Sequence, residues 1–337
     1  MYQTKIARRI REQRILHDVT LELTYGCNLD CFYCYNDREK PGKLLSIGQY
    51  EVLLNDLARM QTMHLMLTGG EPMMHPQFFK IGRMARDLGF VTRVRTNGHS
   101  LSKTLAERMK QEVAPYMVEV SLHGATAQAH DRQTRVPGSF DRLLKNIVNA
   151  KQAGLRCSVV STPTAWNEHQ IEDMFAVCDS LGVPLRFQGP VAPRDNGDLT
   201  PLQIQPAEKT WELVTALVES RREPPSVSDD RRGQSASSDK EEKAMCGVGV
   251  AGVDIDPFGN VQACMHLQTA AGNLHEQSIK DIWDTSPVFQ RARKASVNAA
   301  LQFADSSPKQ YGAPLYCIAV EENANKLCGK SCGGGCD

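Results

Sequence analysis

No apolar run in the chain approaches the ~18 residues needed to span a bilayer. Its basic opening, Met1 to Arg14, lacks the apolar h-region of a secretory signal. Neither sign of charge dominates, with Lys+Arg and Asp+Glu at 39 each over 337 residues. No global field therefore draws the chain to nucleic acid or to a membrane surface. Internal repeats are also absent. These absences point to the cytoplasm, a reducing compartment in which 11 cysteines are poorly explained as disulfides. The cysteine count is odd and the residues gather at the two ends of the chain, which metal sites explain better.

What the chain does carry is Cys27, Cys31 and Cys34 in one C-x3-C-x2-C run, with Tyr33 just before the last cysteine. Three thiolates on a short loop ligate three irons of a cubane cluster and leave the fourth iron open. Zinc usually takes paired C-x2-C knuckles, and a disulfide would leave one thiol unpaired. Asn28 and Asp30 between the cysteines make the stretch a poor apolar core.

The motif resembles that of the radical S-adenosylmethionine (SAM) superfamily. The resemblance implies an open iron that chelates the amino and carboxylate groups of SAM. It also implies reductive cleavage to a 5′-deoxyadenosyl radical. Tyr33 would occupy the position where the family's backbone meets the adenine.

Strand and helix patterns alternate from about residue 17 to residue 190. Strands are expected over His17–Thr24, Met63–Thr68, Val91–Thr96, Met117–Leu122, Cys157–Thr162 and Pro184–Gln188. Ser46 and Gln49 form a capping-box signature ahead of a helix to about Met60. Pro76 is expected to open a helix to Leu88, since its missing N–H costs nothing in a first turn. Further helices are expected over Leu101–Glu112, Ser139–Ala153 (stopped by Gly154), Glu168–Leu181 and Ala207–Arg221. Six βα units imply a parallel sheet with right-handed crossovers, two units short of a closed barrel. The resemblance implies an α/β fold with a partial (β/α)6 barrel. By the barrel rule its site lies at the C-terminal ends of the strands, where the cysteine loop follows strand one.

Gly69-Gly70-Glu71-Pro72 follows strand two. Paired glycines let backbone approach a ligand closely, and a carboxylate beside them can take a cationic amine. The stretch resembles the family's GGEP motif, which contacts the SAM amino group. Asn97 and Ser121 end strands three and four, where turn chemistry and ribose contact are both open readings. The segment His130 to Arg135 resembles one whose arginine meets the SAM carboxylate; Arg132 and Arg135 both qualify, and Arg135 is preferred. Cys157 and Cys178 read as core thiols, and His17, His64 and His99 are assigned no role.

The last part of the chain holds six cysteines: Cys246, Cys264, Cys317, Cys328, Cys332 and Cys336. Between the first two, Pro257 to Asn260 has turn chemistry flanked by alternating runs. The set resembles the SPASM extension of radical SAM enzymes, which holds auxiliary iron–sulfur clusters. It departs from that pattern in the wide gap from Cys317 to Cys328 and in lacking a seventh cysteine. Two fully thiolate-ligated cubanes need more cysteines than are present. One cluster, or two with a vacant or non-cysteine position, are the readings, and two is favoured. A single structural zinc is the alternative.

The expected organisation is a barrel over 1–200, a bridging helix and polar linker over 201–245, and a small cysteine-rich α+β domain over 246–337. Ser226 to Lys243 has almost no apolar side chains and reads as a mobile linker. The expected function, implied by the breadth of the family it resembles, is oxidation or cross-linking of a ribosomally made peptide. Tetrapyrrole side-chain modification, anaerobic sulfatase maturation and an electron carrier or scaffold without SAM chemistry are the alternatives. Flavodoxin or ferredoxin is the expected reductant. Only Met1 to Leu16 precede strand one, so a separate leader-recognition protein is also expected. Asp195, His266 and Glu321 are candidate bases. Anaerobically reconstituted protein should show iron–sulfur charge-transfer absorption with matching iron and sulfide. A Cys27/Cys31/Cys34→Ala variant should keep part of that iron; an iron-free variant would rule out the second site.

Overall fold

The computed structural model describes residues 6, 9, 10, 12–189, 191–221, 249–265 and 267–302. Six parallel strands, β1 (Asp18–Glu22), β2 (His64–Thr68), β3 (Val91–Thr96), β4 (Met117–Ser121), β5 (Cys157–Ser161) and β6 (Leu185–Phe187), lie in sequential order. Helices α1 (Ile47–Arg59), α2 (Phe78–Asp87), α3 (Lys103–Glu112), α4 (Ala127–Thr134), α5 (Ser139–Gln152) and α6 (Ile171–Leu181) form the crossovers. After α7 (Glu208–Ser220), strands β7 (Gly252–Ile255), β8 (Asn260–Cys264) and β9 (Leu267–Asn273) follow, then helices α8 (Ile279–Thr285) and α9 (Pro287–Gln302). The partial barrel expected from the sequence is present.

Strand alternation separates two environments. Val19, Leu21, Leu65, Leu67, Val94 and Val120 turn toward the helices and are almost fully buried in one continuous apolar core. By register, Glu22, Thr68, Arg95, Glu119 and Asp254 share the opposite, inner face. Cys157 and Cys178 belong to the apolar core.

Local chemistry explains most element ends. Ser46 accepts from the Gln49 N–H while the Gln49 side chain accepts from the Ser46 N–H, a reciprocal cap that starts α1. Gly154 takes φ +76°, beyond the end of α5. The expectation for Pro76 needs correction. The residue before a proline is driven to extended backbone, and His75 has ψ 125°. Its ring accepts the Gln77 N–H, so α2 begins only at Phe78. Helix α4 was not expected at all; Thr126 caps it by accepting from the Ala129 N–H, and it ends at Arg135 with φ 57°.

The C-terminal strands extend the same sheet, because β7 pairs in parallel with β1 to give nine strands among the described residues. The β7–β8 turn is organised by Asp256, which is 1% exposed. Its Oδ1 accepts from the Phe258 and Asn260 N–H groups at 2.9 Å each, and its Oδ2 takes Lys40 Nζ at 3.1 Å. Lys40 lies on the loop after the cysteine triad, so this carboxylate ties that loop to the hairpin. Polar residues 226–243 and the expected cysteine-rich end lie outside the described residues. Among those described, no helix is long and apolar enough to cross a membrane. Asp256→Ala should cost about 2–4 kcal/mol, since it strands two amides and a lysine. Asp256→Asn should recover part of the loss; urea unfolding midpoints measure both, and an unchanged midpoint for the alanine variant would refute the account.

Candidate functional site

The site is built where β1 and β2 end. Gly69 has φ +133°, and a Cβ there would lie 2.4 Å from the Thr24 carbonyl oxygen. A Cβ on Gly70 would lie 2.5 Å from the carbonyl oxygens of Tyr25 and Gly26. Only glycine allows such seating. The contact is then sealed by hydrogen bonds from Gly70 N–H to Thr24 O at 2.6 Å and from Glu71 N–H to Gly26 O at 2.9 Å. In this way the turn after β2 is laid directly on the chain entering the cysteine loop.

Glu71 is fully buried. Its carboxylate accepts from Asn97 N–H at 2.9 Å and Met73 N–H at 3.2 Å, and Thr96 Oγ1 lies 2.8 Å from both oxygens. Burial pushes its pKa up to about 7 against these donors. Pro72 opens the short turn after Glu71. Asn97 spans the site. Its Nδ2 donates to Asn28 Oδ1 at 2.7 Å and lies 3.6 Å from Cys27 Sγ. Asn97 thus touches both the carboxylate and the cysteine loop.

The loop itself is pinned by backbone. Asp30 N–H donates to Thr134 O and Phe32 N–H to Gln133 O, both at 3.0 Å, which fastens it to the end of α4. Cys27, Cys31 and Cys34 are half-buried. Burial raises all three thiol pKa values; Arg38 opposes this at each, and Arg194 at Cys34. Bare thiolates are thus disfavoured here, and a bound metal is what would hold the sulfurs deprotonated. Three sulfurs from one loop, with Cys157 and Cys178 away in the core, are a donor set that fits a cubane with one open iron.

Other expected residues sit as follows. Tyr33 is half-buried, with its hydroxyl 3.3 Å from His123 Nδ1. Ser121 is the last residue of β4, half-buried on the inner face. Arg135 is exposed; it pairs with Asp30 at 3.3 Å and lies 5.0 Å over the Phe32 ring, so it braces the outside of the cysteine loop. Arg132 stacks on Trp166. Cys264 ends β8 and is half-buried. Cys246, Cys317, Cys328, Cys332, Cys336, His266 and Glu321 lie outside the described residues.

Sequence reasoning passed over an acidic group on the inner face. Glu22 is 3% exposed and accepts from the hydroxyls of Tyr35 at 2.6 Å and Tyr25 at 3.3 Å. Asp254, level with Thr20 on the neighbouring strand, is equally buried. Burial raises the pKa of both, and raises Asp195 to about 7. The available signal was period two: Glu22 and Asp254 alternate with the apolar Leu21, Val253 and Ile255 on their strands.

Comparison with known proteins agrees with this geometry. The radical SAM superfamily profile matches residues 21–179, and the SPASM iron–sulfur cluster-binding domain matches residues 246–309. Mycofactocin maturase MftC of Mycobacterium tuberculosis is 32% identical over 292 residues, covering 82% of this chain and 72% of that protein. AdoMet-dependent heme synthase of Methanosarcina barkeri is 25% identical over 300 residues, covering 82% and 84%. SuiB of Streptococcus suis, bound to S-adenosylmethionine, has the same fold with a TM-score of 0.67 at 16% identity, over 93% of this chain and 80% of that one. The fold and site define an iron–sulfur enzyme that uses SAM. The chain belongs to the radical SAM superfamily and carries its SPASM extension. Its cofactors are accordingly SAM, a [4Fe-4S] cluster and auxiliary iron–sulfur clusters.

The buried Glu71 has a pH signature. In the unfolded chain it ionises near the ordinary glutamate value of 4.5, and in the folded chain burial moves it to about 7. Between those values the folded state holds a proton that the unfolded state has released. Its contribution is complete below pH 4.5 and is lost as pH rises through 7. In SAM-free protein, Glu71→Gln should therefore gain stability relative to wild type from pH 5 to pH 8, on the order of 2 kcal/mol. Urea unfolding at both pH values checks this; a wild-type-minus-variant difference that stays flat contradicts it.

Proposed function

We propose that this chain is a peptide maturase that oxidises or cross-links a ribosomally made precursor. The supporting observation is the continuous Glu71–Asn97–Cys27 contact, which sets a carboxylate for an amine beside the cysteines for an iron. The likeness to a named maturase, over most of both chains, supplies the substrate class. With cluster and SAM bound, the cofactors supply a carbon radical that removes a substrate hydrogen atom.

In this reading Cys27, Cys31 and Cys34 hold the cluster. Glu71 takes the SAM ammonium, and Gly69, Gly70 and Pro72 shape the backbone beside it. Asn97 holds Glu71 in place through its N–H, and Ser121 and Tyr33 face the nucleoside from the strand-four rim and the cysteine loop. Arg135 steadies the loop through Asp30. Cys264, with Cys246, Cys317, Cys328, Cys332 and Cys336, serves the auxiliary clusters. Glu22 and Asp195, whose pKa values burial raises to about 7, would receive the proton released when a substrate radical is oxidised. Flavodoxin or ferredoxin supplies the electron, and a separate protein presents the leader of the peptide.

The second reading is tetrapyrrole side-chain modification, favoured by the likeness to heme synthase. Dithionite-reduced holoenzyme should cleave SAM, and Glu71→Ala should lower that rate at least about tenfold by losing one charged contact. With its precursor peptide the enzyme should remove about two hydrogens per turnover. A shift confined to a tetrapyrrole would favour the second reading, and absence of SAM cleavage would sink both.

A further inference from the structure

The inner face of the barrel carries a second charged group, three guanidiniums around one carboxylate. Three arginines converge on the carboxylate of Glu119. Arg95 Nε and Nη2 lie 3.1 and 2.8 Å from its Oε2, and Arg186 Nη2 and Arg93 Nη1 lie 2.6 and 3.3 Å from its Oε1. Arg186 reaches Glu119 from β6 over β5, where Ser158 stands level with Glu119 and is small enough to be crossed. Burial would raise the Glu119 pKa, but the guanidiniums outweigh burial and hold it below the usual carboxylate range. The carboxylate is therefore a fixed anion.

One carboxylate does not balance three guanidiniums. The formal excess is two positive charges, from three Arg less one Glu. Exposure shows where that excess points. Glu119 is 2% exposed, whereas Arg93, Arg95 and Arg186 keep 36%, 24% and 50% of their side-chain surface open. Each guanidinium carries about five N–H donors in a planar fork, and Glu119 uses only one or two from each. A planar fork with donors to spare matches a second carboxylate.

The group is also in the right place for substrate. Glu119 precedes Ser121 by two residues on β4, so it lies about 6–7 Å deeper in the barrel than that rim. Arg95 adjoins Thr96, whose hydroxyl holds Glu71, and Glu71 meets the cysteine loop through Asn97. The arginines thus floor the space whose rim carries the cysteine loop.

We propose that Arg93, Arg95 and Arg186 form a subsite for a carboxylate of the peptide substrate, with Glu119 as the residue that positions them. The proposal rests on the maturase reading for the word peptide. The carboxylate comes from the C-terminus or from an acidic side chain.

The test is arginine footprinting on the anaerobically reconstituted holoenzyme. Phenylglyoxal adducts at each arginine are counted by peptide mass spectrometry, with succinate as the probe and succinamide as its neutral counterpart. Succinate should slow labelling of Arg93, Arg95 and Arg186 several-fold and saturably, while succinamide leaves it unchanged. Arg186→Gln, checked for retained iron, should lose the protection at Arg93 and Arg95.

Two further pairs separate the sources. N-acetylalanine against its amide probes a terminal carboxylate, and the α-amides of N-acetylglutamate and N-acetylglutamine probe a side chain. Protection by either acid supports the subsite and names its source. No protection by any acid, or equal protection by SAM alone, overturns it. Because none of these readouts needs peptide turnover, the subsite and the maturase reading fail separately.

Discussion

The structure depends first on a backbone-to-backbone contact, the seating of Gly69 and Gly70 against Thr24, Tyr25 and Gly26. A side chain at either glycine would press into carbonyl oxygens. That contact joins the ends of two neighbouring parallel strands, and with it two halves of one site. Glu71 is carried inward by the turn, and Cys27 leaves from the chain beneath it. Asn97, from a third strand, then bonds to the Glu71 carboxylate and to the cysteine loop. None of these groups could be moved a turn's width without losing the others.

A second constraint runs across the sheet. Because β7 pairs with β1, the C-terminal strands continue the barrel's own hydrogen-bonded layer. The loop after the triad is then locked to the hairpin through Lys40 and Asp256, and Leu45 N–H donates to Pro257 O at 3.2 Å. Gly42 packs so tightly on the Phe258 ring that a Cβ would lie 2.3 Å from it. The chain leaving the cysteine triad is thus held by the segment that leads to Cys264.

Charge on the inner face follows from the same layout. Carboxylates of Glu22 and Asp254 stand on β1 and β7, and guanidiniums gather on β3 and β6 around Glu119. A substrate lying across the barrel would meet acid on one wall and base on the other. Burial acts differently on the two walls: it favours the protonated form of Glu22 and Asp254, whereas the guanidiniums keep Glu119 ionised.

Much of this was legible from local chemistry. The cysteine spacing, the Ser46–Gln49 cap, the six strands and the turn at Pro257 to Asn260 all follow from short-range rules, and each appears within a few residues of its expected place. Local rules failed where another force took over. Pro76 set the backbone of His75 instead of opening α2. Helix α4 is polar over much of its length, so it lacks the apolar period that marks the other helices. Arg135 proved to be engaged by Asp30 and Phe32, partners more than a hundred residues away in sequence.

By itself, then, the sequence determined which residues could hold an iron cluster and that a parallel βα-barrel would carry them, because thiol spacing and hydrophobic period are local properties. Tertiary structure alone decided that β7 would pair with β1, that Glu22 and Asp254 would meet inside the barrel, and that three arginines would share one carboxylate. Those outcomes turn on register and on burial across strands far apart in the chain, and neither can be read from neighbouring residues.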